Sequence, residues 1–320
     1  MSVRDMKNDI VVIGSFVQDL IWETKILPKP GQTVVGSLRA AAPGGKGSNQ
    51  AIAAKRAGAS VCFIGAVGND SYSINARSVF DIEGLNYHLI ERTESPTGTA
   101  AILVDEKGEN QIVVDLGANE NLCFSDIIAE EISSASILIC QFESNIFATA
   151  ESLQFAKQSK VTTILNPAPI RSEVNLDLLK HVDIIVPNEN EYNDLTKNLG
   201  IDKPKCDILD CPKITMKRIC KEIGVPVLII TLGDRGSLLC NSDICEIINA
   251  GKGINAIDTT GAGDAFVGGL SAGLLHFNGD ILKATTFASA TAAISVTRKG
   301  TTSSMPYIDE VKKVFKHNKD

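Results

Sequence analysis

Asp264 stands directly behind Gly261-Ala262-Gly263 and at the head of an apolar, small-residue stretch in "NAIDTTGAGDAFVGGL" (Asn255–Leu270). Three roles fit a carboxylate there: a helix cap, part of a dinucleotide loop, or a base beside a bound phosphate. The spacing predicts a helix over Asp264–Phe277, so N–H groups without intrahelical partners converge at its start. Such a terminus favours anions through hydrogen bonds and the helix dipole. Fixed donors of this kind stabilise the charge on a transferring phosphoryl group, and Asp264 is placed to accept the proton of an attacking hydroxyl.

Other chemistries lack their residues. A Walker A loop needs GxxxxGK[ST], and "PGGKGSN" (Pro43–Asn49) has neither the first glycine nor the hydroxyl after the lysine. A dinucleotide fingerprint should follow the first strand, yet "IGSFVQD" has no GxGxxG, and in "GAGDAFVGG" Phe266 occupies the third glycine's position. No GxSxG elbow is present, and His88, His181, His276 and His317 are scattered. The reading left standing is phosphoryl transfer, with a plain helix cap as its bland rival.

The elements that must position Asp264 read as alternating α/β. Apolar runs at Ile10–Gly14, Ser60–Gly65, Ile137–Phe142, Thr162–Pro167, Asp183–Asn188 and Val227–Gly233 alternate with helical patterns at Lys46–Ala57, Phe147–Gln158, Glu189–Leu199 and Pro212–Ile223. Unbroken apolar strands between helices predict a mostly parallel sheet covered on both faces, with ligands outside the strands' carboxyl ends. Asp19, Glu143, Asn166, Asn188 and Thr231 are expected at those ends. Asp19–Ala41 and Thr97–Asn119 read instead as strand–turn–strand, the second with its turn at Glu106–Glu109. The expectation is one domain over residues 1–320, with a small β lid from about 16–43 and 96–119.

Composition narrows the class. Of 320 residues, 44% are hydrophobic and 22% charged, which suits a sizeable core. Lys+Arg 31 against Asp+Glu 38 gives −7, unlike a chain built to bind nucleic acid. No apolar run approaches the roughly 18–20 residues that span a bilayer, and "MSVRDMKND" lacks a signal-peptide core, so a cytoplasmic location is expected. Cys62, Cys140 and Cys240 lie in apolar runs; Cys206 and Cys211 flank a polar insert without a CxxC, and a reducing compartment is the simpler setting.

"DTTGAGDAFVGG" (Asp258–Gly269) closely resembles the carboxy-proximal motif of the ribokinase branch of the phosphofructokinase-B carbohydrate kinases. "GGKGSNQAIAAKRAGA" (Gly44–Ala59) resembles the amino-proximal motif, and "NPAP", "PNENE", "ITLGDRG" and "VTRKGTTSSMP" resemble further blocks in the same order, from Ile10 to about Pro306. The resemblance implies ATP-dependent phosphorylation of D-ribose at its 5-hydroxyl, with Asp264 as base and Gly261, Ala262 and Gly263 as the anion hole. It puts Asp19, Gly45, Asn49 and Glu143 at the sugar, with Lys46, Gly47 and Ser48 in the same segment and Lys46 in a structural role. Asn188 and the run Thr231, Leu232, Gly233, Asp234, Arg235 and Gly236 match the nucleotide segments, together with Gly263 and Ser289. Glu191 matches the Mg²⁺-linked carboxylate, acting through water. Asp258 and Thr260 match one side of a K⁺ pocket, and Ser295, Arg298, Gly300 and Ser304 match the other, Arg298 through its carbonyl.

Two positions depart from that pattern. Val17 stands where many bacterial relatives carry asparagine, which bears on ribose against 2-deoxyribose, and Ser289 stands where related enzymes often have asparagine near the adenine. Rival readings are a kinase of the same family for 2-deoxyribose or a nucleoside, a sugar-binding regulator without catalysis, and a dehydrogenase. The resemblance, with the lid's open edges, implies a homodimer through the lid.

Overall fold

Strands that read as unbroken apolar runs do so here because helices bury both of their faces. The computed structural model describes residues 8–251 and 254–317; the first seven residues of the N-terminal stretch read above lie outside them. Thirteen strands run β1 (Ile10–Ile13), β2 (Val17–Thr24), β3 (Gly36–Gly44), β4 (Val61–Val67), β5 (Asn86–Glu91), β6 (Gly98–Val104), β7 (Asn110–Asp115), β8 (Ile137–Cys140), β9 (Thr162–Leu165), β10 (Ile184–Ile185), β11 (Val227–Thr231), β12 (Ser237–Cys240) and β13 (Cys245–Ile248) among the described residues. The helices are α1 (Lys46–Arg56), α2 (Ser71–Glu83), α3 (Asp126–Ser134), α4 (Ile146–Gln158), α5 (Leu176–Leu179), α6 (Glu189–Asn198), α7 (Lys213–Ile223), α8 (Ala262–His276), α9 (Ile281–Ser295) and α10 (Ile308–His317).

Nine strands form one sheet in the order β13-β12-β11-β10-β9-β8-β1-β4-β5. From β11 to β5 every pairing is parallel, and β12 and β13 extend the edge antiparallel. The two-residue period divides the core. Val11, Ile13, Ile64, Leu138 and Ile230 pack against Ile128, Leu153, Leu195 and Ile219 of α3, α4, α6 and α7. Ile10, Val12, Phe63, Ile139 and Ile229 face the other way, onto Ile52, Phe80, Val267 and Ala288 of α1, α2, α8 and α9. The expected ribokinase-like α/β architecture is thus the observed one.

The two hairpin-like segments pair with each other. β2 and β6 run parallel at the centre of a separate four-stranded sheet in the order β3-β2-β6-β7. Asp19 therefore differs from its expected place: it lies within β2 of this smaller sheet, opposite Ala42 and Ala100, and not at the end of a strand of the large sheet. The chain leaves β1 at Ile13 and enters β2 only four residues later, so no helix intervenes.

Two helices set the geometry below. Gly268 of α8 lies so close to α1 that a Cβ there would stand 2.5 Å from the Ala53 Cβ and 2.7 Å from the Gln50 carbonyl oxygen. Side chains one turn apart on a helix share a face, so this contact also brings Asp264 over Asn49 and Gln50.

Candidate active site

The chain order of the large sheet reverses between β1 and β8, and parallel α/β sheets open a crevice at such a point. There the Ser15 hydroxyl, just past β1, donates to Glu143 Oε2 at 2.7 Å, just past β8. The Lys46 amide, at the first residue of α1, donates to the same oxygen at 2.9 Å. Gly45 caps that helix with φ 92°, and a Cβ on it would meet the Val17 nitrogen at 2.7 Å. A Cβ on Gly44 would stand 2.3 Å from Asp19 Oδ2, so a side chain there would displace that carboxylate.

Asp264 is buried, 6% exposed, in the first turn of α8. Its two oxygens are each held by an amide from α1: Asn49 Nδ2 at 3.0 Å and Gln50 Nε2 at 2.9 Å. Thr302 Oγ1 donates to Asn49 Oδ1 at 3.0 Å, and Gln141 Nε2 donates to Gln50 Oε1 at 2.7 Å. Gln50 Nε2 also donates to Asn166 Oδ1 at 3.1 Å, whose own amide donates to the Val186 carbonyl. Both amides that touch Asp264 thus have their orientation fixed from behind.

Around Asp264 the chain leaves a cavity of about 160 Å³, lined among others by Lys46, Asn188, Glu191, Thr231, Gly261, Ala262 and Gly263. Gly261 caps α8 at φ 77°, and no described residue accepts from the Gly263 or Asp264 amide. A far larger groove, about 1030 Å³, lies under the smaller sheet and is lined by Asp19, Ile21, Ala42, Pro43, Asp258 and Thr302 among others. One space thus offers amides and a carboxylate, the other carboxylates and apolar walls.

Burial sets the direction for the two aspartates of the site. It pushes the Asp19 carboxyl up to about 7, with Glu143 and Asp264 adding to the effect. Burial also raises Asp264; Lys46 and the amides of Gln50 and Asn49 pull it back, while Glu143 adds to the rise. Burial works against the Lys46 ammonium, but the combined field of Asp264, Glu143 and Glu191 holds its pKa above the ordinary value. The Lys46 ammonium and the Asp264 and Glu191 carboxylates therefore favour one another's charged forms.

The remaining candidates fall into three groups. Asn188 and Glu191 form a reciprocal helix cap: Glu191 Oε2 accepts from the Asn188 amide at 2.8 Å, and Asn188 Oδ1 accepts from the Glu191 amide at 2.9 Å. Asn188 bridges to Thr231, so β10 and β11 deliver both to the cavity. Leu232 is buried, Gly233 and Asp234 are exposed, and Arg235 is ion-paired with Glu189 and Asp207 at 2.6 Å each; with Gly236 these residues line neither space. Ser289 is buried on α9 away from both, its hydroxyl without a described partner.

Asp258 joins two loops, accepting from the Thr260 amide and the Gly300 amide at 2.9 Å each. Those donors hold its carboxyl below the usual range although burial works in the opposite direction. The Val296 carbonyl accepts from the Ile257 and Asp258 amides, which brings the Ser295–Ser304 segment alongside. Ser304 Oγ donates to the Thr301 carbonyl, and the Arg298 guanidinium is engaged by Glu310, leaving only the Arg298 backbone for the loop. Gly47 and Ser48 shape the turn: Gly47 packs on the Gly14 and Ser15 backbone, and Ser48 Oγ donates to the Gly44 carbonyl at 2.6 Å.

Ser15, Gln50, Gln141 and Thr302 escaped the sequence reading. The available signal was polarity in an apolar setting: Gln141 ends the run "ILICQ", and Gln50 precedes "AIAA".

A buried carboxylate beside open amides at a helix start, lining a cavity of about 160 Å³ in an α/β fold, fits the site of a phosphotransferase. The sequence matches the model of the pfkB family carbohydrate kinases over residues 7–308, and the chain belongs to that family. It is 35% identical over 317 residues to a ribokinase of Haemophilus influenzae, covering 98% of this chain and all (100%) of that one. It is also 33% identical to a deoxyribokinase of Salmonella typhi, covering 94% of this chain and 97% of the relative. The fold superposes with TM-score 0.83 on an Arabidopsis thaliana ribokinase complexed with ribose and ATP, at 28% identity and 97% and 99% coverage of the two chains.

Replacing Gln50 by leucine removes one of the two donors that lower the Asp264 pKa and leaves the Gln141 amide unpaired. We expect the Asp264 titration, followed by carboxyl ¹³C NMR, to move to higher pH, with a stability loss of about 1–3 kcal/mol in urea unfolding. An unmoved titration would show that the amide contact carries no electrostatic weight.

Proposed function

We propose that this chain transfers the terminal phosphoryl group of ATP to the 5-hydroxyl of D-ribose, giving D-ribose 5-phosphate and ADP. The observation that carries the reading is the clamped Asp264 carboxylate beside the unpartnered Gly263 amide. Asp264 takes the proton of the 5-hydroxyl as its oxygen attacks the terminal phosphorus in line; the bond from phosphorus to the bridging oxygen breaks and ADP leaves. Gly261, Ala262 and Gly263 receive the charge of the moving phosphoryl group, with the Lys46 ammonium nearby. Asp19, Asn49 and Glu143 hold the sugar's hydroxyls, which both donate and accept. The smaller sheet closes over the sugar as a lid on the single catalytic domain, and its open edges, β3 and β7, pair with a second copy; light scattering at twice 34.1 kDa tests that dimer.

The nucleotide lies along Asn188 and Thr231–Gly236, with Ser289 near the base. Glu191 fits a Mg²⁺ held through water, since each of its oxygens accepts one hydrogen bond and has lone-pair capacity left. The Asp258–Thr260 and Ser295–Ser304 loops, already tied together, fit a K⁺ taken by backbone carbonyls, which would steady the glycine turn beside them. Val17, apolar and buried, and the likeness to a deoxyribokinase favour 2-deoxyribose as the second acceptor.

ATP consumption against a panel of ribose, 2-deoxyribose and nucleosides decides the acceptor; turnover with none of the sugars removes the assignment. Asp264→Asn should lower kcat by about 10²–10⁴-fold while ribose affinity by calorimetry changes little, and near-normal turnover would refute the base. Chelating divalent cations should abolish turnover, and exchanging K⁺ for a large organic cation should lower it. Indifference to the exchange would remove the monovalent site.

A further inference from the structure

At the opposite end of the large sheet three side chains of different chemistry meet without serving the reaction. The parallel register pairs Cys62 with Asn86 and Ile64 with His88, so the two-residue period puts Cys62 and His88 on one face. That face is the one covered by α3, whose Ile128 and Ile132 enter the core and bring Glu131 beside the strands. Cys62 Sγ, a His88 ring nitrogen and a Glu131 carboxylate oxygen all lie within 4.8 Å of one another. His88 Nε2 and Glu131 Oε1 are 2.9 Å apart, with side chains 40% and 22% exposed, while Cys62 is 1% exposed beneath them.

We propose that Cys62, His88 and Glu131 form a binding site for a thiophilic divalent cation of the zinc type. Sulfur, imidazole and carboxylate together select zinc over magnesium or calcium, which take oxygen ligands. Tetrahedral zinc with bonds of about 2.0–2.3 Å sets ligand atoms roughly 3.3–3.7 Å apart, so the three atoms need to move by less than about an ångström. The carboxylate is already oriented from outside: Asn8 Nδ2 donates to Glu131 Oε2 at 3.3 Å, and Asn8 Oδ1 accepts from Asn86 at 2.8 Å and from the Ser60 hydroxyl at 3.4 Å. Binding releases the Cys62 thiol proton to solvent, and the cation offsets the crowding of two anionic ligands. The fourth position is open to water. The site joins β4, the edge strand β5 and α3, near the amino ends of the strands and away from Asp264, so its effect is to fasten that edge.

The test titrates metal-free full-length protein with Co²⁺, in a background where the exposed or half-buried Cys123, Cys206 and Cys211 are serine. We expect a thiolate-to-cobalt charge-transfer band saturating at one equivalent and displaced by Zn²⁺. Cys62→Ala should abolish the band, and His88→Gln or Glu131→Gln should weaken Co²⁺ binding at least tenfold. Basal phosphotransfer, which none of these side chains touches, should stay unchanged and reports that each variant is folded. A hundredfold excess of Zn²⁺ over its Kd should raise Tm by about 4 °C in the parent and not in Cys62→Ala. Absence of the band, or a band of equal strength in folded Cys62→Ala, overturns the proposal.

Discussion

One contact between two helices underlies the site: the close crossing of α1 and α8. Gly268 admits the Ala53 Cβ and the Gln50 carbonyl where any side chain would collide, and Ala53, Ala265 and Met305 fill the adjoining space. One turn earlier on each helix, the same approach sets Asp264 against Asn49 and Gln50. A buried carboxylate is costly unless its lone pairs are used. Here packing supplies the donors, and the donors pull the Asp264 pKa back against the rise that burial causes.

The second constraint is electrostatic. Asp19, Glu143, Asp264 and Glu191 form an acidic cluster with Lys46 as the cation that faces three of them. Their mutual repulsion adds to the burial that raises Asp19 and Asp264, and Lys46 offsets part of the rise at Asp264. Such a cluster would be tolerable in a site that takes in sugar hydroxyls and a nucleotide, as proposed for this one, because those ligands would bring donors and counterions of their own. It would be a poor core.

The smaller sheet shows how local signals can be correct while placement is not. The hairpin character of Asp19–Ala41 and Thr97–Asn119 is visible in the residues, and both segments do form strand pairs. Their union through β2 and β6 is not visible, because the pairing joins segments some eighty residues apart. Asp19 was legible at the start of a hairpin, but its place inside a central strand of the smaller sheet was not. The edge strands β5, β12 and β13 were likewise missed; "NYHLIE" mixes polar residues into its run, as half-exposed edges do.

What the sequence determined by itself was the kind of layer and the kind of chemistry. Apolar strands of period two, helices of period 3.6 and a glycine turn ahead of Asp264 are local patterns, each set by short-range sterics and burial. The ordered blocks from Gly44 to Pro306 carried the family in the same way. Tertiary structure alone decided which groups touch: Gln50, Gln141, Ser15 and Thr302 matter because distant elements aim them at Asp264, Gln50, Glu143 and Asn49 respectively. The meeting of Cys62, His88 and Glu131 is of the same kind. Distances between side chains far apart in the chain depend on how closely helices and strands pack, and no local pattern encodes that.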